Sequence, residues 1–452
     1  MVCSARLAAE QGGNYTWAKS ARGVEWAVRG PVAGETKGLP RSSALTIVPT
    51  KMKSLRRLEH FRAQPVLTSL FALVLLISVG SGRAAESATL PAATDVSFRH
   101  EVQRALDRGL AWLQTNQNSN GWWSTPDQPA VTALALTAFK GEPRGRFRAD
   151  PAWMKRGYDF LLRCAKPDGG IHQTNLVTYN TSLCLMALLA ANQPEYDPVV
   201  RRARGFLVGL QRDFGEKGKL DDVFDGGIGY GSKYEHSDMG NTLAALEALY
   251  YSKHLVADKA LAGARDLDWA AAIQFIQNCQ NLPSHNQQSW ASGDPQNKGG
   301  FVYYPGHSMA GGETNAATGR VALRSYGSIS YGGLLSYIYA DLKRDDPRVA
   351  AVFAWLRRNY TLEENPGMGP QGLYYYFHTM TKALTLHGVN ELELANGRKL
   401  DWRKDVAMKL INLQQRDGSW ANDNGRWWEK DAALVTAYAS LSLEMIYRGM
   451  GP

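Results

Sequence analysis

The sequence predicts an all-α protein, an (α/α)6 toroid of six helix-pair repeats preceded by a signal peptide. Two observations carry that expectation. One helix–turn–helix unit recurs six times from Val102 onward, and a charge-free run separates a basic stretch from small residues near Ala84. A third bounds the function. Of the net +9, residues 1–84 account for 12 Lys/Arg against 4 Asp/Glu, and the rest of the chain holds 39 against 38. A nearly neutral body gives no reason to expect a nucleic-acid partner.

The chain is taken in four parts: 1–51, 52–84, 85–100 and 101–450. Residues 1–51 lack hydrophobic periodicity, and a signal peptide does not normally begin fifty residues into a chain, so we read Met52 as the start and the first part as an over-extended, disordered N-terminus. Met52–Arg57 is basic, Val66–Gly80 is a 15-residue run without charge, and Gly82-Arg83-Ala84 offers small residues where a signal peptidase reads. Fifteen residues fall short of the ~20 that span a bilayer, so cleavage after Ala84 is expected over an anchor. That implies an exported protein, periplasmic or in the cell envelope, where peripheral membrane contact is open to it. Residues 85–100 read as linker. Past the leader, Cys164, Cys184 and Cys279 remain, too few and too widely spaced for a disulfide framework or a metal motif.

The repeats follow one order. "RGLAWLQTNQNSNGWW" (Arg108–Trp123) leads into "AVTALALTAF", and "RGYDFLLRCAKPDGGI" (Arg156–Ile171) into "YNTSLCLMALLA". "ARGFLVGLQ" with "DGGIGYG" leads into "NTLAALEALYY", and "AIQFIQNCQ" with "KGGFVYY" into "SISYGGLLSYIYA". "VFAWLRRNY" passes through "GPQGLYYYFH" into "TKALTLHG", and "QQRDGSW" precedes "AALVTAYASLSL". Anchors at Trp112, Phe160, Phe206, Phe275, Trp355 and Leu410 place long insertions in copies three and four. In each unit the first helix carries an apolar stripe and ends in a Gln suited to bonding orphan carbonyls at a neighbouring helix end. Glycine permits the reversal and the aromatic packs the turn. The second helix, rich in Ala, Ser, Thr, Gly and Leu, reads as buried. Outer amphipathic helices around inner apolar ones close into a ring.

"RGLAWLQTNQNSNGWW" and "AMKLINLQQRDGSW" resemble the Gln-Trp repeats of squalene-hopene cyclases, oxidosqualene cyclases and protein prenyltransferase β subunits. The resemblance covers about 350 residues. It implies the toroid and, as an expectation, a terpene cyclase- or isomerase-like activity if the chain is an enzyme at all. The family's chemistries map unevenly. The Asp-rich acid motif of the cyclases is missing, its nearest counterpart being Glu429-Lys430-Asp431, and the chain has one ring where those cyclases have two. Of the zinc ligands of prenyltransferases, two positions fall at Arg324 and Tyr326 and only His378 matches, so zinc protein prenylation is not expected. Asp221-Asp222-Val223-Phe224-Asp225 is similar to a magnesium-diphosphate motif, but Gly226-Gly227 follows at once, so a rim loop, solvated or calcium-binding, is expected. Gly311–Thr314 looks like a thioester strip without its Cys and Gln.

The candidate site gathers at inner-helix heads. Asp431, Glu429 and His378 are the candidate catalytic groups, a carboxyl or imidazole beside aromatic rings being the type that moves a proton. Tyr303, Tyr304, Tyr374, Tyr375, Tyr376, Trp427, Trp428, His236 and Asp238 are candidate ligand contacts, since aromatic faces suit an apolar chain or a carbocation. Asp238 and Asp431 have capping as an alternative role, and Trp122 and Trp420 have packing between repeats. No metal residue and no cofactor is assigned. The expected partner is an apolar small molecule or lipid, either bound only or bound and modified in the central cavity; no protein partner is identified. Two alternatives stand beside this reading: a non-catalytic protein- or lipid-binding scaffold, and an (α/α)6 carbohydrate-active enzyme using Asp127, Asp238 and Asp431.

Overall fold

The computed structural model describes residues 93–232, 234–255 and 266–451. The first two parts of the sequence lie outside it, and so does the cleavage position at Ala84. Twelve α-helices are described: α1 (Ala93–Thr115), α2 (Pro129–Lys140), α3 (Ala152–Arg163), α4 (Val177–Ala191), α5 (Asp197–Gly209), α6 (Met239–Tyr251), α7 (Trp269–Asn278), α8 (Gly327–Tyr339), α9 (Pro347–Arg358), α10 (Leu373–Leu386), α11 (Trp402–Leu413) and α12 (Ala432–Gly449). Helix α1 begins at Ala93, inside the segment expected to be linker. Among the described residues none of the helices is long and apolar enough to cross a membrane.

Even-numbered helices form the inner ring. α2 packs on α4, α4 on α6, α6 on α8, α8 on α10, α10 on α12, and α12 returns to α2. Odd-numbered helices lie outside, and α1 packs against both α12 and α11, so the ring closes. Burial follows composition. In α8, 12 of 13 residues are buried, glycine, serine and tyrosine included, whereas outer helix α3 buries only Met154, Gly157, Tyr158, Phe160 and Leu161. The insertion of copy four carries a hairpin, β1 (Gly312–Thr314) paired antiparallel with β2 (Val321–Leu323), and a second short pair, β3 (Leu392–Glu393) with β4 (Lys399–Leu400), precedes α11.

One set of bonds repeats around the ring. Gln117 Nε2 donates to Gly121 O (2.8 Å) and Trp153 O (3.0 Å), and Gln280 Nε2 donates to Gly299 O and Arg348 O (both 2.9 Å). Gln211 joins Gly226 O to Asp268 O in the same way, and Gln414 joins Gly418 O to Ala105 O. The expectation of orphan carbonyls at a helix end is corrected here. The amide bridges its own turn glycine to a carbonyl in or just before the next outer helix, mostly near its start. The turn glycine is required twice over: Gly418 has φ +99°, and a Cβ there would stand 2.7 Å from Arg108 O.

A second repeated bond was not anticipated. A hydroxyl on each of five inner helices accepts the backbone N–H of the turn residue before it. The pairs are Trp123 to Thr132 (3.1 Å), Ile171 to Thr181 (2.9 Å), Ile228 to Thr242 (2.9 Å), Phe301 to Ser330 (3.0 Å) and Trp420 to Thr436 (3.0 Å). This is why hydroxyl residues sit in otherwise apolar helices, where an unpaired buried N–H would cost about 1–3 kcal/mol.

Candidate functional site

All six inner helices begin on one face of the ring, and that face concentrates backbone strain. Ser124 (φ 65°) precedes α2, Leu176 (φ 54°) precedes α4, and Trp427 and Trp428 (φ 54° and 67°) precede α12. At the opposite ends the left-handed residues other than glycine are, among the described residues, Asn192 and Asp341, types that adopt this conformation readily. Leucine and tryptophan do not. Each costs about 1–3 kcal/mol and persists where the surroundings over-determine it, a pattern typical of functional surfaces.

Asp238, the N-cap of α6, is a fully buried acid on this face. It is 0 % exposed and accepts from Asn241 N (2.9 Å) and Asn241 Nδ2 (2.8 Å). Burial raises its pKa above the ordinary carboxylate value, against the opposing pull of the Asn241 bonds, the His236 ring and the Tyr303 hydroxyl. Tyr230, Tyr303, Tyr304, Tyr326 and Tyr375 all feel its charge. The hydroxyls of Tyr230 and Tyr303 share a 2.7 Å hydrogen bond. Beside them His236 lies 4.4 Å from the Tyr304 ring, and Tyr304 stacks on His307 at 4.8 Å.

The other anticipated residues separate into distinct roles. Glu429 is wholly buried; its Oε1 accepts Tyr375 N (2.7 Å) and its Oε2 accepts Asn422 Nδ2 (2.6 Å), with the amides of Leu373 and Tyr374 also directed at it. It therefore caps α10, whose own N-cap, Gly372, has no side chain to do so. Burial raises its pKa. Asp431 caps α12 through Ala433 N and Leu434 N, and its other oxygen accepts a very short bond from Ser124 Oγ. His378 is 6 % exposed and stacks on Tyr438 at 5.2 Å. Burial and the nearby Lys382 push its pKa well below the ordinary imidazole value, so the ring is neutral at pH 7.

The Tyr374–Tyr376 run does not act as one wall. Tyr376 is 0 % exposed and its hydroxyl donates to Thr361 O (2.9 Å), away from the lumen, while Tyr374 packs edge-on against Phe377. Tyr375 instead packs toward the inner helix α12, its ring 5.9 Å from that of Tyr438, and feels the charges of Glu247 and Asp238. Trp427 is 39 % exposed beside Gly372 with the Arg426 guanidinium 5.1 Å from its ring, and Trp428 is half-buried against the core. In the rim loop, the Asp225 carboxylate accepts Phe214 N (2.6 Å) and Asp222 N (2.7 Å), and Asp221 accepts Glu216 N (3.0 Å), so these oxygens hold the loop's own backbone. Arg324 ion-pairs with Glu313, and Tyr326 is the residue before α8.

Sequence reasoning passed over a group in the middle of the ring. Lys382 Nζ lies 2.7 and 3.0 Å from the two carboxylate oxygens of Glu247, and the hydroxyls of Tyr179 and Tyr438 are 2.7 Å apart. Each pair joins inner helices that are not ring neighbours: α10 with α6, and α4 with α12. Both contacts therefore reach across lumen space. The signal was present, because Glu247 and Lys382 are single charges in otherwise apolar inner-helix sequences.

No protein-family model matches this chain, and no curated protein does. Among solved structures it is similar to a type II terpene cyclase from Scytonema in complex with geranylgeranyl dihydroxybenzoate, at 13% identity over 78% of this chain and 99% of that one, TM-score 0.47. It is also similar to a GH76 α-mannanase from Bacteroides thetaiotaomicron, at 10% identity over 77% and 96%, TM-score 0.48. A third is an α-1,6-mannanase of Salegentibacter in complex with α-1,6-mannotriose, at 11% identity over 76% and 99%, TM-score 0.45. Similarity this distant says nothing of what the present chain binds.

Proposed function

We propose that this chain is an exported toroid that takes an isoprenoid or similar lipid into the tyrosine-walled mouth of its ring, with Asp238 as the group able to protonate it. The observation that carries the reading is a carboxyl fully buried at an inner-helix head, shifted toward its protonated form and surrounded by tyrosine rings. A neutral carboxylic acid in a low-dielectric cup is suited to deliver a proton to an alkene. In that state its O–H can donate to Tyr303, which bonds onward to Tyr230. The Asn241 N–H and amide donors then hold the carboxylate left behind, and aromatic faces stabilise a developing cation. This moves the candidate acid from Asp431 and Glu429 to Asp238: all three cap helices, but Asp238 has five tyrosines close enough to feel its charge, whereas Glu429 holds the first amides of a neighbouring helix and Asp431 is bonded to Ser124.

Export belongs to the same proposal, and N-terminal sequencing of envelope protein should read from Ala85. For the chemistry, the purified protein is extracted for lipid and then incubated with farnesol, geranylgeraniol and squalene. The expected result is retained or bound lipid in the wild type and in Asp238→Asn, with conversion only in the wild type. Absence of bound lipid, and of binding to all three probes, overturns the reading. Binding without turnover in the wild type favours the scaffold alternative, which the contacts crossing the lumen also support.

A further inference from the structure

The middle of the lumen is polar. Four of the six inner helices send groups there: Tyr179 from α4, Glu247 from α6, Tyr375, His378 and Lys382 from α10, and Tyr438 from α12. The Lys382–Glu247 contact is short and doubly bonded, with both side chains mostly buried. Tyr179 and Tyr375 each feel the Glu247 charge. His378 Nδ1 is buried with no hydrogen-bond partner among the described residues. Counted along their helices, Tyr375 lies in the first turn of α10, whereas Lys382 and Glu247 lie in the third turn of α10 and α6. At 1.5 Å per residue the ion pair sits roughly 12–13 Å below the mouth.

An apolar chain end pressed against this group would strip water from an ion pair and from several hydroxyls without returning a hydrogen bond, which costs more than its own burial recovers. We infer that the Glu247–Lys382 pair forms the floor of the lumen, with Tyr179, Tyr438 and His378 lining it above, and selects a ligand whose leading end carries a hydroxyl or carbonyl. The ligand class is an oxygenated lipid rather than a plain hydrocarbon. The inference rests on the lumen being the lipid site, as proposed above.

The test compares farnesol with farnesene, the hydrocarbon of the same carbon skeleton that is left when farnesol loses water, by titration calorimetry. Wild-type protein is expected to bind farnesol about tenfold or more tightly than farnesene, the ratio for a hydrogen bond to a charged partner. Glu247→Gln/Lys382→Met, which removes both charges at similar volume, is expected to reduce that ratio to about threefold or less. Tyr438→Phe deletes one hydroxyl without a cavity and is expected to reduce the ratio partially, so the inference stays testable if the double variant does not fold. Equal binding of the two probes by the wild type, or an undiminished ratio in the folded variants, overturns the floor while leaving the lumen as the lipid site. Failure of both probes to bind overturns the floor, and overturns the lipid site as well when geranylgeraniol and squalene also fail to bind and no lipid is extracted.

Discussion

Tyr375 and Tyr376 are chain neighbours with different surroundings, because successive helical residues point about 100° apart. Tyr376 fills the space between layers with its ring and bonds Thr361 O, so Tyr376→Ala should destabilise the fold by about 3–5 kcal/mol in denaturant titrations. Tyr375 faces the lumen, and Tyr375→Ala should weaken lipid binding by about tenfold with a smaller stability loss, given roughly 1.5–3 kcal/mol for one large side chain. Equal stability losses and unchanged binding would place Tyr375 in the core as well. Glu444 offers a pH prediction at the same scale. It is 1 % exposed, its Oε1 lacks a partner among the described residues, and burial raises its pKa well above 4.5. Between about pH 4.5 and that raised value the folded state holds a proton the unfolded state has released, so stability falls as pH rises through this window. Glu444→Gln should flatten that slope and melt higher than the wild type toward alkaline pH, with little difference below pH ~4. Parallel melting-temperature curves for the two proteins would show that Glu444 ionises normally.

At the scale of elements, the first and last repeats hold one another. Trp420 is 0 % exposed, donates from Nε1 to Leu410 O (2.7 Å), and lies where a Cβ on Gly109 of α1 would meet its ring at 2.7 Å. Gly109→Val should therefore cost about 1–3 kcal/mol by overpacking, although valine is tolerated by an isolated helix at well under that cost. Urea titration of the variant measures the difference, and a loss below 0.5 kcal/mol would mean the seam yields easily (~0.5 kcal/mol being ordinary for surface changes). Glu429 acts between elements too. Removing its side chain leaves the first amides of α10 without an acceptor, at a cost of about 0.5–2 kcal/mol, while Glu429→Gln retains one.

For the whole molecule, closure changes how the ends behave. In an open array of repeats the terminal units contact one neighbour and fray. Here α1 packs on α11 and α12, so it has partners on two sides like any other outer helix. Native-state hydrogen exchange should show the Leu106–Leu113 amides opening with a free energy close to that of Leu243–Leu249 in the middle of the chain. Early exchange confined to α1 would show that the seam opens independently of the rest.

What the sequence determined by itself was the number, order and layer of the helices. Spacing of Gly, Gln and aromatic residues and the contrast between striped and uniformly apolar helices are local properties, and they survive without knowledge of partners. The same local reading named Tyr303, Tyr375, His378 and Asp238. It did not separate Tyr375 from Tyr374 and Tyr376, nor Asp238 from Glu429, because the direction of a side chain and the identity of its donor depend on a neighbouring repeat. Glu429 resembles an acid in sequence and is a cap in the fold, since the amides it accepts belong to a helix 54 positions away at Tyr375. Lys382 and Glu247 are 135 residues apart and meet only because the ring brings non-neighbouring helices face to face across its lumen. Pairing across a closed ring is a consequence of closure, which no window of sequence contains.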